Sequence, residues 1–541
     1  MSLNTALCDR CRPIFNTTIP HIEWPAGHIL TTGLWHPNLV SLQESAETGC
    51  RLCANVWHEV VNEEWPEPWN WTSLSEPLEY TVGVGYKHTI KEVLVNSSDL
   101  PSGLYFEFVA HTNFDIDEPC SIDNSPGSNE PLGDAETRDS YDGLGETGAI
   151  DKNDLTVNTR KHNWVFGSHQ FRHRDQTPEI LVEANGKALG TSWTSDLTIA
   201  KQWLAQCLKE HTTCGRTNDD ANVLPTRLLE ISANGRHRKV RLVESVHIPP
   251  NSKYLSLSHC WGKRPIFSLL LSNIVGLRKD IPISKLPRTF QDAFEVTTQL
   301  GYSYLWIDSL CIVQDEPSDW AREADRMGDV YENASLNIAA TAFFSSASSL
   351  FVPKSADKPK LLTASVDMQL GDFHLTGTFE LVQEKAWTSR VDKAPLNRRA
   401  WVTQERFLSP RKLHFGRDQL LWECHQLQAC EMLPLGLDKS IISSKYDGFT
   451  SYRDIVGIKS SSQHHTTWCK IIDAYTTFAL TYPSDKLAAI AGITSKYQEL
   501  LSDTCVAGLW KKTFVMDLMW CRAWIERREL PRAVDGRAPT W

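Results

Sequence analysis

The second half of the chain alternates short apolar stretches with amphipathic helical stripes. Three stretches have the composition of buried strands: Tyr254–Gly262 (YLSLSHCWG), Tyr304–Asp308 (YLWID) and Leu336–Ala340 (LNIAA). Between the first two, apolar residues recur at helical spacing after Pro287, and Gly301 follows as a stop signal. This alternation predicts an α/β fold, a parallel sheet with right-handed crossover helices.

Polar side chains follow the first two strands, where an α/β sheet presents residues to a ligand. Alternation places Ser258 and His259 on opposite faces of the first strand, and Trp261 closes it. The second strand ends in the carboxylate of Asp308. The residues that we expect to line a ligand crevice here are Ser258, His259, Trp261, Asp308, Gln314 and Asp315. The last three could equally cap the next helix and fix its loop.

The same patterns divide the rest of the chain. An apolar stripe predicts a helix over 200–208, and Asn234–Gly235 marks the turn of a hairpin before the first strand. The intervals that we predict are an α+β, Cys-rich N-terminal region (1–113), an acidic insertion (114–154), a helix and hairpin region (155–250), the α/β domain (251–425) and a helical C-terminal region (426–541).

Charge and composition exclude several classes of protein. The 541 residues carry a formal net charge of −11. Within 114–154, twelve Asp and Glu residues face two basic ones, a balance of −10, so this apolar-poor segment is predicted to be a disordered insertion. The remainder is nearly neutral and offers no basic field for nucleic acid. No run approaches the roughly 18 apolar residues of a membrane span.

Two cysteine pairs predict a metal site. The N-terminus lacks the basic-then-apolar build of a signal peptide, which predicts a cytoplasmic protein with thiols or metal ligands rather than disulfides. Cys8 with Cys11, and Cys50 with Cys53, are C-x₂-C pairs that suit a closed, structural zinc site. His36 could replace one thiolate, and unrelated buried cysteines are the alternative.

A second group has a spacing similar to metal sites. Cys207, His211 and Cys214 follow one another at short intervals. Cys207 lies on the apolar stripe of the predicted helix, however, which favours packing in the core.

Several ordered blocks resemble the fungal heterokaryon-incompatibility (HET) domain and cover about 254–405. The blocks are Tyr254–Gly262, Leu286–Ala293 (LPRTFQDA), Leu300–Asp315 (LGYSYLWIDSLCIVQD), Asp319–Tyr331, Arg399–Glu405 (RAWVTQE) and Leu413–Gly416 (LHFG). The resemblance implies a role in non-self recognition and programmed cell death when incompatible cells fuse. It also implies a TIR-like, flavodoxin-like parallel sheet flanked by helices, a fold of which some members cleave NAD. In similar proteins further sequence follows a stretch like Ala538–Trp541, which implies a truncated C-terminus here.

The resemblance to TIR-type NADases implies a catalytic carboxylate. Those enzymes carry a glutamate in a Trp-Cys-x-x-Glu context on a helix after the third strand, and this chain has Trp401-Val-Thr-Gln-Glu405. Glu405 is therefore the implied catalytic residue for hydrolysis of NAD(P), with Trp401 and Gln404 among the residues that bind this substrate. Val402 departs from the cysteine of the pattern. Residues i and i+4 lie on the same face of a helix, so Trp401 would form one wall of the pocket around Glu405.

Other roles compete with this interpretation. A structural ion pair of Glu405 with Arg399 or Arg406 is the alternative, and Glu323 is a second candidate for the catalytic carboxylate. The chain could also be a non-catalytic module that self-associates through this domain and recruits other death effectors, with an incompatibility partner that the sequence does not identify.

A cysteine hydrolase is disfavoured. His259 and Cys260 are neighbours, and neighbours on an extended chain point to opposite faces, so one cannot readily activate the other. Cys311 with His414 is a further pairing, but buried inert thiols are commoner.

Overall fold

The computed structural model describes most of the second half of the chain and parts of the first. The described residues are 7–16, 18–19, 29–62, 78–84, 104–113, 161–173, 197–214, 224–234, 237–351, 362–370, 373–383, 386–437, 455, 458 and 460–519. The acidic segment 114–154, Gly235 of the predicted turn and the C-terminal residues 520–541 lie outside these ranges.

The strands are short in the second half and longer in the first. In chain order they are β1 (Thr18–Ile19), β2 (Ile29–His36), β3 (Leu78–Val84), β4 (Leu104–Asn113), β5 (Lys161–His173), β6 (Arg227–Asn234), β7 (His237–Glu244), β8 (Leu255–Ser258), β9 (Tyr304–Trp306), β10 (Leu336–Ala339), β11 (Leu362–Leu370), β12 (Phe373–Gln383), β13 (Arg411–Phe415), β14 (Leu420–Cys424), β15 (Gln428–Cys430), β16 (Cys505–Val506) and β17 (Leu509–Trp510).

Helices precede, connect and follow these strands. The α-helices are α1 (Leu39–Glu47), α2 (Arg51–Asn62), α3 (Thr198–Glu210), α4 (Ile274–Leu277), α5 (Arg288–Gln299), α6 (Asp308–Cys311), α7 (Pro317–Asp325), α8 (Met327–Asn333), α9 (Val402–Leu408), α10 (Ser461–Thr476), α11 (Ala491–Leu501) and α12 (Phe514–Asp517). In the described part of the chain, no helix combines the length and the apolar run that a bilayer crossing requires.

The chain forms two compact units that do not follow contiguous intervals. The first unit comprises 1–173 and 362–381, and the second comprises 174–361 and 382–541. The β11–β12 hairpin therefore belongs to the first unit, although it lies inside the predicted α/β interval along the chain.

The first unit is built on a seven-stranded sheet in the order β1-β11-β12-β5-β4-β3-β2. β1 pairs with β11 in parallel, with Thr18 opposite Gln369, and the neighbouring pairs from β5 to β2 are antiparallel. Asn38 begins α1 by accepting a hydrogen bond from the Ser41 amide at 2.9 Å, which satisfies one free donor of the first turn.

The second unit is built on an eight-stranded mixed sheet in the order β15-β14-β13-β10-β8-β9-β6-β7. Its four central strands, β13, β10, β8 and β9, are parallel, and antiparallel hairpins extend both edges. The sequence prediction of a parallel sheet built from β8, β9 and β10 is thus confirmed as the centre of a larger mixed sheet. Numbered by chain order, the parallel strands lie in the order 2-1-3-4.

Helix α5 shows how the sequence sets the bounds of the crossover elements. It begins directly after Pro287, and Gly301 ends it with a φ of +83°, a conformation that glycine adopts without steric cost. Its buried face includes Phe290 and Phe294, which pack into the main apolar core of the unit together with strand residues such as Leu257.

Helix α9 is enclosed over its whole length, since all seven of its residues are buried. Phe407 and Leu408 join an apolar cluster with α10 and α11 on one side. Close approach of the chains beneath α9 requires small residues, because a Cβ added at Gly492 would meet Gly328 Cα at 2.8 Å. This packing holds α9 between the sheet and the C-terminal helices.

Candidate functional site

The site lies where the parallel strands of the second unit end. From β8 the chain proceeds to β9 on one side, whereas β10 lies on the other side, so the carboxyl ends of β8 and β10 flank the switch point of the strand order. The first turn of α9 lies against these ends through a small apolar cluster. The residues of that cluster are Cys260, Ala339, Leu396 and Val402. This contact brings Glu405, one turn further along α9, to the end of β8.

The carboxyl group of Glu405 is held by a hydroxyl group. Glu405 is 3% exposed, and Ser258 at the end of β8 donates its Oγ hydrogen to Glu405 Oε2. Asn337 of β10 donates from Nδ2 to Ser258 Oγ at 2.9 Å and thereby fixes the direction of this hydroxyl. The Tyr331 hydroxyl, which donates to the Leu257 carbonyl at 3.4 Å, lies near enough to the carboxyl group to affect its pKa.

This environment favours the protonated form of Glu405. Burial raises its pKa to about 7, and the negative charge of Asp308 acts in the same direction. The charge of Arg399, the hydrogen bond from Ser258 and the nearby Tyr331 side chain lower the pKa of Glu405 but only partly offset burial. Glu405 is therefore a carboxyl group that exchanges its proton near neutral pH, as a catalytic acid or base must.

Asp308, after β9, forms the other side of the site. Trp261 donates from Nε1 to Asp308 Oδ2 at 2.9 Å, and the Ser309 amide donates to Asp308 Oδ1 at 2.6 Å. The side chain of Asp308 is 20% exposed, and Trp261 is half-buried. These two residues are the solvent-facing part of the site, while Glu405 lies deeper.

His259 lies beside Asp308. Its Nε2 is 3.8 Å from Asp308 Oδ1 and has no hydrogen-bond partner among the described residues. Burial lowers the pKa of His259 to about 4, so the ring is neutral at physiological pH. Arg399 donates to the His259 backbone carbonyl, which places a cation beside the deep end of the site.

The comparisons with known proteins identify this region. Residues 254–405 match the model of the family described as heterokaryon incompatibility protein (HET). These residues are a HET domain. The matched range begins one residue before β8 and ends at Glu405, and it indicates a role in heterokaryon incompatibility, a process related to cell death. The family expected from the sequence blocks is thus confirmed. No curated protein and no solved structure matched the chain.

Two of the predicted ligand residues of the HET domain make contacts that shape its loops. Gln314 donates from Nε2 to the backbone carbonyls of Asp308 and Ile312, at 3.2 and 3.0 Å. Asp315 accepts the Leu271 amide at 2.9 Å and so ties the loop after β9 to the loop after β8. These contacts fit the loop-fixing alternative and also hold Asp308 in place.

The other residues predicted on α9 face the C-terminal helices of the second unit. Trp401 packs edge-to-face on Trp320 and donates from Nε1 to Asp485 at 3.3 Å. Gln404 accepts the Gly492 amide at 3.1 Å, while its Nε2 has no hydrogen-bond partner within the described ranges. Both side chains therefore brace α9 against the structure that follows it.

Glu323, the second candidate carboxylate, belongs to an ion-pair cluster. It is 2% exposed, with its Oε1 3.7 Å from Arg227 and 3.4 Å from Arg322. Arg227 also binds Asp319. Charge pairing thus gives a structural reason for the burial of Glu323.

The cysteines that could act as nucleophiles are buried in the HET domain. Burial raises the pKa of Cys260, and it raises that of Cys311 to about 12. His414, the proposed base for Cys311, hydrogen-bonds instead to Thr341 at 2.9 Å and to Glu423 at 3.1 Å. These environments favour inert thiols.

Arg406, next to Glu405 on α9, joins a different buried charge cluster. It binds Glu423 at 2.9 Å and Asp392 at 2.8 Å, whereas the alternative had paired it with Glu405. Burial raises the pKa of Glu423, but Arg406, Lys412 and His414 outweigh this effect and hold its pKa well below the usual range. Glu423 is therefore a buried carboxylate anion with cationic partners.

The four N-terminal cysteines come together as predicted, in what we term the first thiol cluster (Cys8, Cys11, Cys50 and Cys53). Their four sulfur atoms lie within 4.8 Å of one another, and this group could hold a metal ion. Sγ–Sγ distances of 3.5 to 3.7 Å agree with the edge of about 3.8 Å in a tetrahedron with Zn–S bonds of about 2.3 Å. Trp35 donates from Nε1 to Cys11 Sγ at 3.3 Å, and His36 Nε2 is 3.3 Å from Cys53 Sγ, so His36 contacts a thiol rather than replacing one.

A second thiol cluster contains a residue that the sequence did not point to. Its members are Cys207, His211, Cys214 and Cys424, and their ligand atoms also lie within 4.8 Å of one another. Cys207 is in the main apolar core, as its helical stripe predicted. Cys424, 213 residues after His211, completes a group that could hold a metal ion.

Sequence reasoning also missed residues that surround Glu405. Asn337 occupies a buried position in the apolar strand β10 and is 1% exposed. Tyr331 stood in a resembling block without an assigned role, and Arg399 was considered only as an ion-pair partner of Glu405. The signal available was Asn337 itself, because a polar side chain inside an otherwise apolar strand is either hydrogen-bonded or functional.

Proposed function

We propose that this HET domain cleaves the bond between nicotinamide and ribose in NAD(P), with Glu405 as the catalytic carboxylate, and that this activity triggers regulated cell death in allorecognition. The observation that carries the proposal is the position of Glu405. A buried carboxyl group with a pKa near 7 lies within the electrostatic influence of the Asp308 carboxylate at the switch point of a parallel sheet, where α/β folds bind ligands.

The strand order supports a TIR-like fold for the domain. The parallel strands follow the order 2-1-3-4, which is the order of the flavodoxin-like folds that include the TIR domain. Glu405 follows β10, the third parallel strand, on a helix, as the glutamate of TIR-type NADases does. We therefore propose that Glu405 occupies the position of the catalytic glutamate in TIR-type NADases.

Each group at the site has a task in this reaction. The C1′–N bond breaks and nicotinamide leaves with the electron pair, so positive charge develops on the ribose ring. Ionised Glu405 stabilises that charge and accepts the proton that water releases as its oxygen bonds to C1′. Asp308 and the free Nε2 of His259 bind ribose hydroxyls, and Trp261 forms the wall for the nicotinamide ring.

The enclosure of the site favours a second candidate function. Ser258 and Glu405 are 1% and 3% exposed, so substrate entry requires the half-buried Trp261 and Asp308 to move apart. A cavity of about 430 Å³ in the second unit is lined by other residues, 252–253 and 300–304. A domain that stays closed would act as a non-catalytic, self-associating module that recruits other death effectors.

Loss of NAD distinguishes the two functions. We expect purified full-length protein to convert NAD to nicotinamide and ADP-ribose, and Glu405→Gln, which keeps the hydrogen bond to Ser258, to lower the rate by about 1,000-fold or more. Glu323→Gln serves as the matched control and is expected to retain activity. Persistence of NAD, including in an oligomerised sample, would reject the enzyme and leave the signalling module.

We further propose that the first thiol cluster holds a structural zinc ion in the first unit. Four thiolates leave no open coordination position, and N–H donors to the sulfur atoms from Trp35 and from the Cys8 amide orient the ligands. Zinc would fix the segment around Cys8 to the start of α2. The intact Cys50→Ser protein is expected to contain one zinc ion fewer than the wild type.

A further inference from the structure

The second thiol cluster joins segments that are remote in sequence. Cys207 lies on the last turn of α3, and His211 and Cys214 lie in the loop that follows it. Cys424 is the last residue of β14, 213 residues after His211. Trp203, one turn before Cys207, packs on Trp422 of β14 with ring centroids 6.2 Å apart, so the helix and the strand already share an apolar contact beside the thiols.

The distances within this cluster match a metal site with one nitrogen and three sulfur ligands. Cys424 Sγ is 3.3 Å from His211 Nδ1, and Cys214 Sγ is 3.9 Å from the same nitrogen. Bonds of about 2.3 Å to sulfur and about 2.0 Å to nitrogen give tetrahedral edges of about 3.5 to 3.8 Å. The three cysteines are free and buried.

A buried guanidinium group supplies independent support. Arg411 is 6% exposed and donates from Nε to Cys207 Sγ at 3.2 Å and from Nη2 to the Cys214 carbonyl at 2.8 Å. Within the described ranges it forms no ion pair with a carboxylate, so its charge lacks an anionic partner in a cluster of neutral thiols. Three thiolates around a divalent ion carry a net charge of −1, which Arg411 would neutralise.

A backbone donor also points to a thiolate at Cys424. The Leu427 amide donates to Cys424 Sγ at 3.3 Å, the kind of N–H to sulfur contact that orients a metal-bound cysteine. Simple packing of apolar thiols requires neither this contact nor the guanidinium group.

We propose that the second thiol cluster binds a structural zinc ion that fastens α3 and its loop to β14. Four protein ligands close the coordination shell, so the ion takes no part in a reaction. Glu423, adjacent to Cys424 on β14, binds Arg406 of α9 at 2.9 Å. The zinc ion therefore supports, through one strand and one ion pair, the helix that carries Glu405.

Metal content of the intact protein tests this site independently of any activity. We expect Cys424→Ser to contain one zinc ion fewer than the wild type. Cys430→Ser is the matched control, because Cys430 is a buried cysteine on the adjacent strand β15 outside both clusters, and it should keep the wild-type content. Equal zinc in Cys424→Ser and the wild type would overturn the proposal. A loss in Cys50→Ser alone would assign zinc only to the first cluster and would overturn it as well.

A ligand exchange covers the case in which Cys424→Ser does not fold. His211→Cys keeps four ligands, and in the cobalt-substituted protein it adds one thiolate. The thiolate-to-cobalt absorption should then increase relative to cobalt-substituted wild type. An unchanged spectrum in a folded His211→Cys protein would show that His211 is not a ligand and would overturn the proposal.

Discussion

Glu405 and Glu423 lie in two neighbouring regions of the second unit, both nearly inaccessible to solvent, yet their electrostatic environments differ. The Ser258 hydroxyl donates to Glu405, and burial outweighs the charge of Arg399, so the pKa of Glu405 rises to about 7. Arg406, Lys412 and His414 surround Glu423, whose pKa falls well below its usual range. Successive helix residues point about 100° apart, so α9 presents Glu405 to one region and Arg406 to the other.

This difference separates a reactive carboxyl group from a structural one. Cations that neutralise a buried carboxylate stabilise it as an anion and leave it little tendency to exchange protons. Hydroxyl donors satisfy the oxygen atoms without fixing the charge. Burial alone therefore does not mark a catalytic residue, whereas the chemical type of the partners does.

Glu423→Gln should produce the largest change in stability. It leaves Arg406, Lys412 and His414 buried with Asp392 as the remaining nearby carboxylate, and removing one partner of a buried ion pair costs about 3–5 kcal/mol. The measurement is the free energy of unfolding in urea at neutral pH. Glu405→Gln, the matched control, should lose none of this stability. Similar losses in both variants would mean that the two regions do not differ as described.

The pH dependence of stability should differ between wild type and Glu405→Gln. The pKa of Glu405 is about 7 in the folded protein and about 4.3 when unfolded, so its contribution to stability is present below about pH 4.3 and is lost as the pH rises through 7. Over this interval the free energy of unfolding of the variant is expected to rise relative to that of the wild type, by up to about 3 kcal/mol. Urea unfolding of both proteins from about pH 5 to about pH 8 measures the difference. A difference that stays constant with pH would contradict the raised pKa.

Asp308→Asn should produce a smaller effect, a shift of the Glu405 titration to lower pH. The negative charge of Asp308 raises the pKa of Glu405, so its removal favours ionisation. The carbon-13 shift of the Glu405 carboxyl group, assigned by comparison with Glu405→Gln, follows the titration directly. Asp315→Asn is the control, since Asp315 binds the Leu271 amide and should leave the midpoint unchanged. An unmoved midpoint in Asp308→Asn would show that the two carboxyl groups are not coupled.

Local patterns in the sequence predicted much of the HET domain. Strands β8, β9 and β10 and helix α5 were visible because apolar periodicity and stop signals such as Gly301 act within a few residues. Because parallel strands end at the same edge of a sheet, this prediction also placed Ser258 and Asp308 at one edge. The first thiol cluster was also predictable, since each C-x₂-C pair is a local unit.

Features that depend on distant partners were not predictable in this way. Nothing near Cys424 indicates that it meets His211, because that contact follows from the order of strands in the completed sheet. The partners of Arg406 likewise come from β14 and from Asp392, and not from its own helix. The sequence of 362–383 likewise gave no signal that this segment joins the sheet of the first unit.

The β11–β12 hairpin determines when the first unit can finish folding during synthesis. Strands β11 and β12 occupy the sheet of the first unit between β1 and β5, whose last residue is His173. The ribosome thus releases β1 to β5 long before their sheet can be completed, and it releases β8, β9 and β10 in the meantime. N-terminal domains commonly finish folding first during translation. Here the first unit must wait for Gln383, so the nascent chain passes through a stage in which β1 and β5 have open edges.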